Sequence, residues 1–220
     1  SLDDATDRRQ NPLLYPYCPE TITGKSIRYF QEAAINQVIR RIVKGQKRIL
    51  LAMATGTGKT FTAMQLVWKL IKSGWLQRQH PDRPGRILFL ADRVVLRDQS
   101  YNAFSPFAQD GNDPRWLIEG HPAVLTRDLY FGIYQSLWIE NDQGKRLFEQ
   151  FPKDFFDLVI IDEAHRSGFG TWQEILKHFG DAIHLGMTAT PKTTDNVDTY
   201  EYFCKDEHEI LVDAEDPSKG

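Results

Sequence analysis

Two short runs of this 220-residue chain carry residue types that can do phosphate chemistry. The first, Met53-Ala54-Thr55-Gly56-Thr57-Gly58-Lys59-Thr60, sits between an apolar stretch, Ile49-Leu50-Leu51-Ala52, and an apolar-periodic one that runs to Lys72. Strand, glycine loop and helix, in that order, is what a phosphate-binding loop requires; a chance glycine turn has no need of those flanks. The glycines let the backbone curl so that successive N–H groups and a helix N-terminus face an anion. Lys59 adds a point charge for the β and γ phosphates, and Thr60 can ligate Mg2+. A nucleoside triphosphate such as ATP and a magnesium ion are therefore the expected ligands. Met53 stands where the general pattern has glycine.

The second run begins about a hundred residues later. Leu158-Val159-Ile160-Ile161 ends in Asp162-Glu163-Ala164-His165, so a buried strand delivers two carboxylates to its C-terminal end, where open α/β sheets bind their ligands. Asp162 is placed to hold the magnesium, directly or through water, and Glu163 to polarise an attacking water. Phosphoryl transfer asks for positioning and charge neutralisation more than for covalent help. An Asp-Glu pair alone is a common strand-to-loop transition, and it is Lys59 that gives this pair its meaning.

The elements that must position these residues are readable from periodicity. Phe30, Ala33, Ala34, Ile35, Val38, Ile39 and Ile42 recur at helical spacing between Ile27 and Val43, and Gly45 ends the pattern. Apolar runs at 48–53, 87–91, 158–162 and 183–188 alternate with helical stretches such as 60–72 and 94–104. Strands alternating with helices predict an α/β fold, a mostly parallel sheet with helices on both faces. The stretch 109–119, with Gly111-Asn112-Asp113-Pro114, predicts a loop, and Asp142-Gln143-Gly144 a turn before a short helix. Residues 1–26, with Asn11-Pro12, Tyr15-Pro16-Tyr17 and Cys18-Pro19, form an expected lead-in or linker to a domain over 27–203. The polar, acidic sequence beyond Pro191 predicts a weakly packed tail, 204–220 in particular.

Composition narrows the class. A hydrophobic content of 41 % with 26 % charged residues is that of a globular domain, no apolar run is long enough for a membrane span, and no signal sequence opens the chain, so a cytoplasmic location is expected. The net charge of −3 argues against a strongly basic nucleic-acid surface but leaves room for a local track of hydroxyls, amides and a few arginines. Two distant cysteines and six histidines without ligand spacing suggest neither disulfides nor a metal centre, and the five scattered tryptophans fit packing better than base stacking.

Taken together, Gly56-Thr57-Gly58-Lys59-Thr60, Asp162-Glu163-Ala164-His165 and Thr188-Ala189-Thr190-Pro191 resemble motifs I, II and III of superfamily-two DEAH-type helicases, in order and in spacing. The wording of 53–60, Asp-Glu-Ala-His-Arg-Ser at 162–167 and Leu90-Ala91-Asp92-Arg93 is most similar to the motor region of type I restriction enzyme HsdR subunits and the related type III Res subunits. The resemblance spans about 27–203. It implies a RecA-like fold, ATP-driven movement along duplex DNA, assembly with restriction-modification subunits, an upstream nuclease, and a coupling role for His165, Thr188 and Thr190. Ile27-Arg28-Tyr29-Phe30-Gln31 is similar to the family's adenine-reading element, which adds Arg28 and Gln31 to Thr55, Gly56, Thr57, Gly58, Lys59 and Thr60 as nucleotide-binding residues. An amide can meet both a donor and an acceptor on the base edge. Ala91-Asp92-Arg93 resembles motif Ia, and Ile133-Tyr134-Gln135-Ser136 a later DNA-contacting segment, which nominates Arg93, Gln135 and Ser136 for the nucleic-acid face.

In that family a second RecA-like domain supplies motifs IV to VI and an arginine across the cleft. The sequence after Pro191 shows no such domain, so the chain alone is expected to bind nucleotide and hydrolyse it weakly. Rival readings are a stand-alone DEAH helicase acting on RNA or DNA and a non-catalytic nucleotide- or nucleic-acid-binding module. Retention of Lys59, Thr60, Asp162 and Glu163 together speaks against the second. A nucleotide kinase or GTPase would share the phosphate loop but has no use for Asp-Glu-Ala-His followed by Thr-Ala-Thr.

Overall fold

A computed structural model describes residues 10–109, 111–120, 122–163, 169–189, 202–203 and 211–214, with the side chains of 169–172 and 211–214 left aside. The predicted first helix is α1, Tyr29–Val43, and its buried face is Phe30, Ala34, Ile35, Val38, Ile39 and Ile42, the i, i+4 spacing of an amphipathic helix. The strand that follows, β1 (Arg48–Met53), is buried along almost its whole length and leads through the glycine loop into α2 (Lys59–Lys72). After β2 (Ile87–Ala91) comes α3 (Val94–Ala103). The chain continues through β3 (Arg115–Leu117), β4 (Leu129–Ile133) and the short α4 (Tyr134–Trp138) to β5 (Leu158–Ile161). It then runs through α5 (Phe169–His178), β6 (Ile183–Thr188) and β7 (Leu211–Ala214).

The strands form one sheet in the order β3-β4-β2-β5-β6-β1-β7, and every neighbouring pair is parallel. Alternation along the strands feeds two cores. Ile49, Leu51, Phe89 and Ile160 face α1 and α2, while Leu50, Leu88, Tyr130 and Val159 pack with the aromatic group Phe148, Phe151, Phe155, Phe156 and Phe179 on the other side. Helices therefore cover both faces, as the near-continuous apolar strands require.

Three segments differ from the sequence expectation. The loop predicted over 109–119 contains β3, an edge strand that gains order from its pairing with β4. The expected lead-in is tied to the domain. The Cys18 amide donates to Gln65 Oε1 (2.8 Å), Gln65 Nε2 donates back to the Cys18 carbonyl (3.1 Å), and Lys69 donates to the Leu13 carbonyl (3.2 Å) from a position over the Tyr17 ring. Within the expected acidic tail, Leu211–Ala214 pair with β1 as the sheet's other edge.

The segment beyond Pro191 is also anchored at Tyr202 and Phe203. His184, fully buried on β6, bonds the Tyr202 hydroxyl through Nδ1 (2.6 Å) and the Phe179 carbonyl through Nε2 (2.9 Å). Burial, with Arg48 nearby, drives the His184 pKa down to about 3, so the ring is neutral: Nε2–H donates and Nδ1 accepts. Phe203 lies on Gly186, where an added Cβ would meet its ring carbons at 2.8 and 2.9 Å and Leu50 at 3.0 Å. Gly186→Ala is accordingly expected to destabilise the domain by about 1–3 kcal/mol through overpacking, read as a lower urea midpoint with an unchanged slope.

Candidate nucleotide site

The C-terminal ends of β1, β5 and β6 meet at one edge of the sheet, and each delivers a motif there. Register pairs Ala52 of β1 with Thr188 of β6, so buried Thr188 stands beside the start of the glycine loop. Met53, the departure from the glycine pattern, is the last residue of β1 and points into the core, so the loop proper starts after it.

The loop's shape comes from Gly56 and Gly58, whose φ values of 82° and 85° lie in the left-handed region open to glycine. At Gly58 space is equally restrictive, because a Cβ would stand 2.7 Å from Gln31 Nε2. Thr57 is buried and pins the loop from within: its hydroxyl donates to the Ala54 carbonyl (2.6 Å) and its carbonyl accepts from Gln31 Nε2 (2.7 Å). Gln31 Oε1 in turn accepts the Arg28 amide (3.1 Å). The side chain nominated as a base reader is 5 % exposed and fastens the start of α1 to the phosphate loop. Gly58 caps α2, whose first turn carries no acidic residue, so its unpaired N–H groups and dipole face the cleft without a competing carboxylate from that turn.

Opposite stands the acidic pair. Asp162 follows β5, its amide bonded to the Leu90 carbonyl (2.8 Å), and its side chain accepts the Glu163 amide (3.0 Å). Burial first, and the Glu163 charge second, push the Asp162 carboxyl up to about 6 against the pull of Lys59. Glu163 has φ 51°, the only non-glycine positive φ among the described residues, a strain characteristic of functional turns. Its Oε1 lies 2.9 Å from Lys59 Nζ. The lysine of one motif and the second carboxylate of the other, 104 residues apart in sequence, thus form an ion pair at the mouth of a cleft of about 610 Å3. Thr55, Gly56, Gly58, Lys59, Thr60, Asp162 and Glu163 all line it.

The same cleft has walls that no motif announces. Ile22, Thr23 and Lys25 reach it from the strap that Gln65 fixes, and Leu96, Gln99 and Asn102 from α3. Nothing in local spacing marks either group; tertiary packing alone brings them in.

Among the described residues, no three His, Cys, Asp or Glu side chains converge closely enough to hold a metal by themselves. That donor set fits magnesium arriving with a nucleotide, which keeps most of its shell as phosphate and water oxygens and takes few protein ligands. Asp162, with its charge under-compensated, and the Thr60 hydroxyl are the suitable pair.

Of the residues nominated for nucleic acid, Arg93 has a side chain 71 % exposed at the N-terminus of α3, and Gln135 is exposed on α4. Ser136 is 7 % exposed and turned into the domain, because α4 packs that face against the sheet. It is the one nucleic-acid nominee that the fold does not present to a partner. His165 and Thr190 lie outside the described residues.

Comparison with known proteins agrees with this geometry. The family described as "Type III restriction enzyme, res subunit" matches residues 24–193. The Type I restriction enzyme EcoAI endonuclease subunit of Escherichia coli is 42 % identical over 185 residues, covering 82 % of this chain and 21 % of the subunit. This chain therefore spans about a fifth of that relative. A solved fragment described as an HsdR subunit of a type I restriction enzyme from Vibrio vulnificus YJ016 superposes with a TM-score of 0.68 at 44 % identity, covering 90 % of this chain and 31 % of that one. The UvsW helicase of bacteriophage T4, at 15 % identity and a TM-score of 0.59 over 92 % of this chain and 64 % of its own, shares the RecA-like helicase fold. With three quarters of its length matched, the chain belongs to the restriction-enzyme Res family, as a helicase-like domain homologous to the HsdR endonuclease subunits of type I restriction enzymes.

Proposed function

We propose that this chain is the ATP-binding first half of a motor that hydrolyses ATP to move along duplex DNA within a type I restriction enzyme in the cytoplasm. The observation that carries the ATPase reading is the Lys59–Glu163 ion pair at the cleft mouth. It holds the phosphate-binding cation and the water-activating carboxylate within one hydrogen bond of each other. A triphosphate entering the loop draws Lys59 to its β and γ oxygens, and Glu163, released from that ion pair, orients water. Asp162 and Thr60 would hold the magnesium, which would supply charge neutralisation to the transferring phosphoryl group. Gln31, held by its Nε2 at the Thr57 carbonyl of the loop and by its Oε1 at the Arg28 amide, keeps one N–H and one carbonyl lone pair for the adenine edge. Arg93 and Gln135, exposed beyond β2 and β4, offer contacts to a phosphate backbone, and Thr188 with His165 and Thr190 links that side to the nucleotide.

In this reading the transition-state arginine comes from a second RecA-like domain, as in the helicase family that the motifs resemble. Such an arginine is worth about 10³–10⁵ in rate in well-studied NTPases. ATP binding and steady-state hydrolysis by this chain, with and without linear duplex DNA or structured RNA, test the proposal. Nucleotide binding with slow turnover is the expected result. Brisk turnover indifferent to nucleic acid would instead identify a self-sufficient phosphate-loop enzyme.

A further inference from the structure

A third carboxylate stands beside the two that the motifs bring to the site. Asp92 follows the last residue of β2, and β2 pairs with β5, so Asp92 and Asp162 leave adjacent strands at the same edge of the sheet. The bond from the Asp162 amide to the Leu90 carbonyl fixes the two strand ends side by side. The Asp92 side chain is 6 % exposed, and its Oδ1 is buried without a hydrogen-bond donor. Its other oxygen lies 3.6 Å from Arg93 Nε, a contact that solvent screens because the arginine side chain is mostly exposed. Lys59, the cation that the glycine loop brings to the cleft, is occupied by Glu163.

Buried acceptors of this kind are rare, since the desolvation is incurred and nothing is returned, and each asks for a missing donor. The Asp92 charge also reaches its surroundings, adding to the burial and to the Glu163 charge that hold the Asp162 carboxyl high, and adding to the burial that raises the Tyr134 hydroxyl. Among the described residues, this edge of the sheet therefore carries three carboxylates against one engaged lysine and one solvent-screened arginine, with Lys25 reaching the cleft from the strap. The three do not converge tightly enough to ligate an ion together, so Asp92 is suited to act one water further out. Ordered partners of that kind orient the groups that touch a metal and tune its affinity.

We propose that Asp92 is a positioning residue for the nucleotide-borne magnesium, accepting a hydrogen bond from a water of the ion's shell and completing the charge balance that Asp162 and Thr60 begin. Resting as it does on the ATP reading above, this assigns a nucleotide-side role to a residue adjacent to Arg93 on the nucleic-acid face.

The isosteric Asp92→Asn variant of the whole chain separates charge from shape. ATP affinity is measured by calorimetry in magnesium and again in EDTA, and the melting temperature is measured without nucleotide. The expected result is an EDTA affinity within about twofold of the parent, a magnesium-dependent gain in affinity cut by about tenfold or more, and a higher melting temperature once the uncompensated buried charge is gone. An undiminished magnesium gain would overturn the proposal. So would equal losses in both buffers with a lower melting temperature, which would make Asp92 a structural support for the end of β2. If the parent chain binds no ATP in either buffer, the nucleotide reading itself fails and the role of Asp92 with it.

Discussion

Glu163→Gln is expected to bind ATP at least as tightly as the parent chain while losing hydrolysis by about 10²–10⁴-fold, the range for removing a positioned general base. The two halves of this result have separate physical origins. Rate is lost because an amide cannot draw a proton from water. Affinity is retained or rises, by up to about tenfold, because in the free chain Glu163 holds Lys59 at 2.9 Å and competes with the incoming phosphates for it. Removing the charge also relieves Asp162, whose carboxyl Glu163 helps to hold up at about 6, and so favours the ionised form that magnesium needs. Because the isolated chain is expected to turn over slowly, the comparison belongs in a single-turnover experiment with protein in excess over labelled ATP, alongside equilibrium binding. A variant that hydrolyses ATP at the parent rate would remove Glu163 from the chemistry. One that binds distinctly more weakly would show that the carboxylate supports the loop and does not compete for its lysine.

What could be read from the sequence, and what could not, follows from where the signals reside. The glycine loop and the acidic turn were legible as local structure because each is local: residues that permit the backbone to turn, with a buried apolar strand on the near side. The sheet's centre was legible for the same reason, since β1, β2, β5 and β6 are continuous apolar runs. Leu129–Ile133 has a similar apolar run, but the resemblance of Ile133-Tyr134-Gln135-Ser136 to a DNA-contacting segment hides its role as β4, paired with β2. Arg115–Leu117 gave no signal, being three partly exposed residues whose order comes from pairing with β4 and from the Arg115 bond to the Tyr101 carbonyl. Contacts between distant residues were least legible. That Gln65 would fasten the Cys18 backbone, and so bring Thr23 and Lys25 to the cleft, is written in no spacing. Gln31 was singled out for its amide, but that the amide clasps the Thr57 carbonyl depends on the approach of α1 to the loop. Ser136 and Asp92 show the complementary failure. Each lies beside an exposed polar residue, Gln135 or Arg93, and one step along the chain takes a side chain from solvent into the protein.

Lys59→Ala carries the other large effect, a loss of ATP affinity of at least about 10²-fold with the fold intact. The magnitude has two sources that act in the same direction. The ammonium is the one side-chain cation that the phosphate loop itself supplies, so the variant loses its attraction for the β and γ phosphates. It also removes the Lys59 charge from beside Glu163, with a side chain only 14 % exposed, and Asp162, which then repel more strongly the polyanion that Lys59 had attracted. Stability should change little, because Lys59 belongs to neither core and Glu163 keeps some access to water. Circular dichroism and a melting curve therefore serve as the control, with calorimetric titration of ATP as the readout. Pairing the substitutions sharpens the result. If repulsion by the Glu163 carboxylate accounts for part of the loss, Lys59→Ala with Glu163→Gln should bind ATP more tightly than Lys59→Ala alone, a non-additivity expected of two groups in direct contact. Tight ATP binding by Lys59→Ala itself would overturn the assignment of 53–60 as the phosphate loop.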